Sequence, residues 1–220
     1  MNHLAMSLIG LLPGMSIAEA RAAFNALPFQ KAIRSRMLEP WRHYHVQRHL
    51  DHMFRELETA ESEGVVIHDG TAVVGAVTWH DSVMDPMAAK GRNETLSAML
   101  CKEEMGLRVN RHSTQNACTG ILSTITHQLP LDCGQFEDAA IFLDSDLAIL
   151  GAEEDVFERY DGDIRKEYVH VPIDTYRPAR AGVLSGFLER KRLYFTEWGR
   201  DRWETRARIN LMRKIAELSL

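Results

Sequence analysis

Cysteine is scarce in this chain, and the three present, Cys101, Cys118 and Cys133, include no C-x-x-C pair. An odd, unpaired set excludes a disulfide framework and suits reduced packing residues in a cytoplasmic protein. Excess positive charge is missing too. With 26 Lys and Arg against 31 Asp and Glu, the formal net charge of -5 gives no basic footprint for a nucleic-acid duplex, so a phosphate-bearing ligand must be held by local groups or by metal. Long apolar runs are also lacking, which predicts no membrane span. The start from Leu4 to Ile17, followed by Ala18-Glu19-Ala20, has the outline of a signal peptide, yet no Lys or Arg precedes it and Pro13-Gly14 interrupts it. Ser16-x-x-Glu19 reads instead as a capping box opening a helix through Ala23.

What the chain does have is helical periodicity. At 220 residues and 45% hydrophobic content it can bury a sizeable core, and one domain over 1-220 is expected. A segment around Ala32 to Leu38 ends at Glu39-Pro40. From His45 to about Ser62, Val46, Leu50, Met53, Phe54 and Leu57 recur on one stripe. Thr71 to Asp81 is a small-residue apolar run that reads as a buried helix, its valines leaving a strand open. Asn93 is placed as the cap of a helix with Leu96, Met99 and Leu100 on its apolar face, and another helix runs from about Gln115 to Gln128, closed by Pro130. Gln135 to Leu150 is periodic up to Gly151. Further helices are predicted around Glu153 to Tyr168, Thr175 to Glu189 and Trp198 to Leu218. The fold class is therefore all-α.

Imidazoles and carboxylates that helix packing brings together are ligands for a divalent cation. On the helix after Tyr44, His49 lies at the edge of the apolar stripe, with His45 one turn before it and His52 one turn after. Two His-Asp dipeptides compete for the same role. Asp69-Gly70 is a turn whose aspartate can cap the next helix, which explains His68-Asp69 locally, whereas His80-Asp81 ends a buried element and needs a partner. Asp144 and Asp146 flank the stripe of the 135–150 helix at nearly equal angles, so helical geometry leaves open which one faces the site. Glu94, in a first helical turn, reads primarily as a helix-dipole residue. Arg165 and Lys166 read as surface ion pairs, and the basic residues of the last helix as a solvated face.

Arg42-His43-Tyr44-His45 with His49, Trp79-His80-Asp81, Asn93-Glu94, and Phe142 to Gly151 form an ordered set that resembles the HD superfamily of metal-dependent phosphohydrolases. Ile164 to Pro172, Phe187 to Arg190 and Ala207-Arg208 with Asn210-Leu211 extend the likeness to a bacterial branch of that superfamily, over residues about 40 to 212. The resemblance implies an HD-domain-like helical bundle with a metal-binding core over about 40-151 and the C-terminal helices packed on it. It implies His49, His80, Asp81 and Asp146 as ligands of one divalent cation among Mn, Fe, Co, Ni, Zn and Mg, with two ions as an alternative. Tyr44-His45 with His49 is also similar to the corresponding segment of cyclic-nucleotide phosphodiesterases, which implies that His45 protonates the leaving group. Glu94 would orient the water or take its proton.

The implied activity is hydrolysis of a small phosphate ester, a nucleotide or a similar molecule. A mixed-valent di-iron oxygenase, with His112 or His127 as added ligands, and a non-catalytic metal-containing binding module are the alternatives from other classes.

Overall fold

The computed structural model describes residues 14–130 and 136–220. Among them there is no strand, and the chain is all-α. The first helix, α1 (Ile17–Asn25), starts where the sequence places it: Ser16 Oγ accepts the Glu19 N–H at 3.2 Å and the Glu19 carboxylate accepts the Ser16 N–H at 3.0 Å. A short α2 (Gln30–Arg36) precedes the proline break. The next helix, α3 (Gln47–Ser62), begins two residues later than the periodicity suggests, because Val46 is extended at φ -124° and ψ 175°. His45 thus lies outside the helix and is free to point independently of His49.

The run after Asp69 resolves as α4 (Gly70–Trp79), with every residue buried, so the alternative of a strand falls away. Its small residues explain its place at the centre. A Cβ on Gly75 would meet Met105 Sδ at 2.7 Å and Ala117 Cβ at 3.2 Å, so α5 (Arg92–Gly106) and α6 (Arg111–Ser123) approach α4 closely. Two expectations for this region are corrected. Asn93 does not cap α5. It lies in the first turn, and its side-chain amide accepts the Asp85 N–H and donates to the Asp85 carbonyl, tying down the preceding loop. The buried face of α5 is Ser97, Ala98, Cys101 and Met105, while Met99 is 61% exposed. Small and sulfur-bearing side chains suit the tight contact better than the larger aliphatics do. Helix α6 starts earlier than expected because the Asn110 side chain caps it through the Ser113 N–H, and it ends at Ser123.

Beyond residue 135, α7 (Ala139–Leu147) continues into a 3-10 turn, Ala148–Gly151. Gln135 and Cys133 lie outside the described residues. The last elements are α8 (Glu154–Glu167), α9 (Ile173–Leu188), α10 (Glu197–Gly199), a π-helical stretch over Arg200–Glu204 and α11 (Thr205–Leu218). One apolar cluster joins residues of α1 to α7, including Trp79, Met105 and Phe142, and a second joins α8, α9 and α11 with Tyr44, Leu147 and Leu150. Helix α7 runs from the first cluster into the second, and Asp146 sits at the crossing.

Only part of the basic set over Trp198 to Leu218 is solvated: Arg202 and Arg206 are exposed and pair with Glu63 and Glu153, while the others turn inward. Arg208 donates to the Leu188 and Arg190 carbonyls at 3.0 and 2.8 Å, Arg200 to the Phe195 carbonyl at 2.6 Å, and Lys214 is buried against Glu158 and Glu217. The two arginines close turns whose carbonyls have no helical partner, and Lys214 is held by carboxylates. The π stretch brings Trp203 onto Gly151, where a Cβ would lie 2.5 Å from Trp203 Cβ and 2.8 Å from its carbonyl oxygen. Gly151→Ala should therefore cost about 2 kcal/mol, read as a Tm drop of roughly 4–8 °C in a thermal melt followed by circular dichroism. An unchanged Tm would refute the close packing.

Candidate metal centre

Three helices deliver the candidate ligands. His49 comes from the first turn of α3, His80 caps the C-terminus of α4 with Asp81 next to it, and Asp146 comes from α7. The local reasons differ. The His80 backbone N–H still closes on the Ala76 carbonyl, while its Nδ1 lies 3.0 Å from the Val77 carbonyl. That bond holds the proton on Nδ1 and turns Nε2 towards the other ligands, the arrangement by which metal-binding histidines are oriented. Asp81 is held from behind by Arg42. Its guanidinium is buried and donates to the carbonyls of Asp81 at 2.7 Å, His45 at 3.1 Å and Ser82 at 3.2 Å, locking the two motif segments together.

His49, His80 and Asp81 offer three ligand atoms within 4.8 Å of one another. His49 Nε2 is 3.1 Å from His80 Nε2 and 3.5 Å from Asp81 Oδ2, and His80 Nε2 is 2.9 Å from Asp81 Oδ2. Asp146 Oδ1 adds a fourth donor, 3.1 Å from His49 Nε2 and 3.7 Å from His80 Nε2. Donors bound at right angles 2.0–2.2 Å from one cation are themselves about 3 Å apart, so the spacings of His49, His80 and Asp81 fit a shared ion, and Asp146 lies beside that group against its two histidines. Asp81 Oδ2 supports the fit. It is buried and makes no hydrogen bond despite the nearby His80 nitrogen. The two carboxylates also draw positive charge to this point. Burial opposes ionisation of His80, but Asp81 and Asp146 outweigh it and push its pKa up to about 9. Asp146 is held well below the usual carboxylate range, against the pull of burial, by His127, His49 and His80.

The choice between the two aspartates of α7 is settled by their surroundings. Asp144 is fully buried and faces away, accepting the N–H of Phe195 at 2.7 Å, the N–H of Thr196 at 2.8 Å and the Thr196 hydroxyl at 2.6 Å. Burial pushes its pKa up to about 6 even against those donors. Asp144 is an anchor for the Leu193–Gly199 stretch, and Asp146 is the aspartate at the ligand cluster.

His45 sits beside the cluster, with 24% of its side chain exposed, and its position depends on Glu167. Glu167 Oε1 accepts the backbone N–H groups of His43, Tyr44 and His45 at 2.7, 2.8 and 2.9 Å, and Oε2 lies 2.6 Å from His45 Nδ1. Burial opposes the His45 charge, but Asp81 and Glu167 raise its pKa above the ordinary value. Burial likewise works against the Glu167 charge, and its bonds to His45 and the N–H groups still hold its pKa low. Nothing local in the sequence marks Glu167, since it acts 122 residues from His45 and closes a helix as any glutamate might be placed to do.

Other candidates are placed elsewhere. The Asp69 side chain caps α4 through the Ala72 N–H and accepts the Ser113 hydroxyl, so His68-Asp69 is a structural pair. His52 faces Glu56 at 3.4 Å. Glu94 is half-buried in the first turn of α5, without a hydrogen bond or ion pair to the cluster; its charge is felt at Tyr168, as is that of Asp81. His112 lies near the start of α6 against Asn116, at the end of that 13-residue helix away from His127, so it is not brought to the centre. His127 is brought there, with Nε2 at 3.0 Å from Asp146 Oδ2. Arg165 donates to the Tyr168 and Val171 carbonyls and stacks on Tyr176 rather than forming a surface ion pair, whereas Lys166 does pair with Asp163.

Compared with protein-family models, curated proteins and solved structures, the chain matches none significantly. The site is therefore read from its own geometry.

The Glu167–His45 pair generates a pH-dependent stability. A raised imidazole pKa stabilises below the ordinary value of 6.5 and is lost as pH rises through the raised pKa. A lowered carboxyl pKa stabilises above 4.5 and is lost as pH falls through the lowered pKa. A double-mutant cycle of Glu167→Gln and His45→Asn in urea should give a coupling of roughly 1.5–3 kcal/mol between pH 4.5 and 6.5, shrinking above that window. A coupling that grows with pH would contradict the assignment.

Proposed function

We propose that the protein is a metal-dependent phosphohydrolase of the HD type acting on a small phosphate ester. The observation that carries this reading is the clustering of His49, His80 and Asp81, with Asp146 alongside on the two histidines, next to an imidazole whose pKa, against the pull of burial, Asp81 and Glu167 raise. Those four residues would hold one divalent cation, and mixed imidazole and carboxylate ligation suits Mn, Fe, Co, Ni or Zn. Such a cation, when bound, supplies Lewis-acid activation of water and of a phosphoryl oxygen.

The chain's own residues supply the rest. Glu167 accepts from His45 Nδ1–H, which leaves the proton on Nε2 available to a leaving-group oxygen. Arg42 carries no free donor role here; by holding the carbonyls of His45 and Asp81 it keeps the acid and the ligands at a constant separation. With a net charge of -5, attraction for a phosphorylated substrate comes from this local positive charge and not from the surface at large. Glu94 is the candidate for orienting water from the α5 side.

One observation favours a second reading. His127 against Asp146 is where a di-iron oxygenase would place an added ligand, although His112 at the far end of α6 does not join it.

Elemental analysis of protein purified without added metal or chelator should give about one equivalent of a transition metal, absent from His80→Ala. His45→Ala should keep the metal and lose phosphate release by roughly 10²–10⁴-fold across a panel of nucleotides and small phosphate esters. Two irons per chain would favour the oxygenase. No metal, even after incubation with Mn, Co or Zn, would end the hydrolase reading.

A further inference from the structure

Among the described residues, His127 is the one non-glycine residue with a positive φ. It follows α6 at φ +47°, a left-handed backbone that a residue with a Cβ avoids. Something must hold it there, and three contacts from the C-terminal part of the chain do so. Arg190 Nη1 donates to the His127 carbonyl at 2.7 Å and Nη2 to the Thr126 carbonyl at 2.8 Å. The Phe187 ring meets the His127 ring edge to face at 5.6 Å, and the Arg190 guanidinium lies 4.6 Å from the Phe187 ring centre. The Leu188 to Lys191 turn that presents Arg190 is itself closed by Arg208 of α11. The contacts run from α11, through this turn, to the His127 backbone.

The result is directional. His127 Nε2 lies 3.0 Å from Asp146 Oδ2, while Asp146 Oδ1 faces His49 Nε2 at 3.1 Å. A carboxylate only accepts, so Nε2 carries the proton and donates it. We infer that His127 is a positioning residue: its Nε2–H fixes Asp146 so that Oδ1 is presented to the cation, and the C-terminal helices set the site's cation affinity through Arg190. This rests on the metal reading above. Ligation of a second ion by His127 is the less supported role, because no third imidazole, thiolate or carboxylate among the described residues joins His127 and Asp146 Oδ2 in a group separate from the first centre.

The test is a titration of the full-length protein with Mn²⁺ or Co²⁺, read as affinity and stoichiometry. His127→Ala should bind about 10–100-fold more weakly with the same stoichiometry, the scale of losing an oriented partner of a ligand. His127→Gln, which retains an N–H donor of similar reach, should recover to within about threefold of the unmodified chain. Arg190→Ala should weaken binding in the same direction by freeing the turn. Unchanged affinity in His127→Ala, or loss of one of two equivalents, would overturn the inference and leave the metal reading standing. An unmodified chain that binds neither ion would overturn both. A second readout needs no metal and no variant: ¹⁵N-detected tautomer analysis should find the His127 proton on Nε2, and a neutral ring protonated on Nδ1 would overturn the inference alone.

Discussion

Two half-buried carboxylates packed against the same pair of imidazoles must be answered by positive charge, and many of the contacts around the centre serve that requirement. Asp81 follows the end of α4 and Asp146 lies on α7, and neither accepts backbone N–H groups of the kind that satisfy Asp69 and Asp144. Their counter-groups are the imidazoles of His49, His80 and His127, each from a separate part of the chain. A group of this kind is costly to assemble and stable only when every neighbour is held in place. This explains why so many of the surrounding contacts restrain the backbone and do not themselves face the cluster.

Those restraints share a chemistry. A buried or half-buried side chain with several hydrogen-bonding positions gathers backbone groups that no helix satisfies. Arg42 takes three carbonyls from two segments, Glu167 takes three successive N–H groups, and Asp144 takes two N–H groups and a hydroxyl. Arg208 and Arg190 do the same for the turns after α9 and α6. The loops beside the centre thereby acquire fixed positions without secondary structure of their own. The π stretch in the last helix belongs to the same scheme, since it seats Trp203 on Gly151 at the end of the element that carries Asp146.

Much of this was legible in residue order. The capping box at Ser16, the Asp69 cap, the stripe through Leu50, Met53 and Leu57 and the small-residue run of α4 each announce themselves within a few positions, because the forces behind them are local. The preference for His80-Asp81 over His68-Asp69 had the same basis: one pair had a local partner and the other did not. Periodicity failed where neighbours at a distance decided the outcome. Met99 follows the apolar pattern of α5 yet faces outward, since the close approach of α4 and α6 admits Ala98 and Cys101 in its place. The basic last helix read as solvated because no local rule says that Arg208 will meet carbonyls some twenty residues upstream.

By itself the sequence determined the helical class, the element order and the short list of imidazoles and carboxylates able to meet, since these follow from spacing and capping over a few residues. Tertiary structure alone separated Asp146 from Asp144, left His112 at the wrong end of α6, set His127 on Asp146 and supplied Glu167 to His45. The physical reason is one of range. A helix fixes only the angle at which a side chain leaves its axis, and the identity of what it meets there depends on distant elements, 122 residues away in the case of His45 and Glu167.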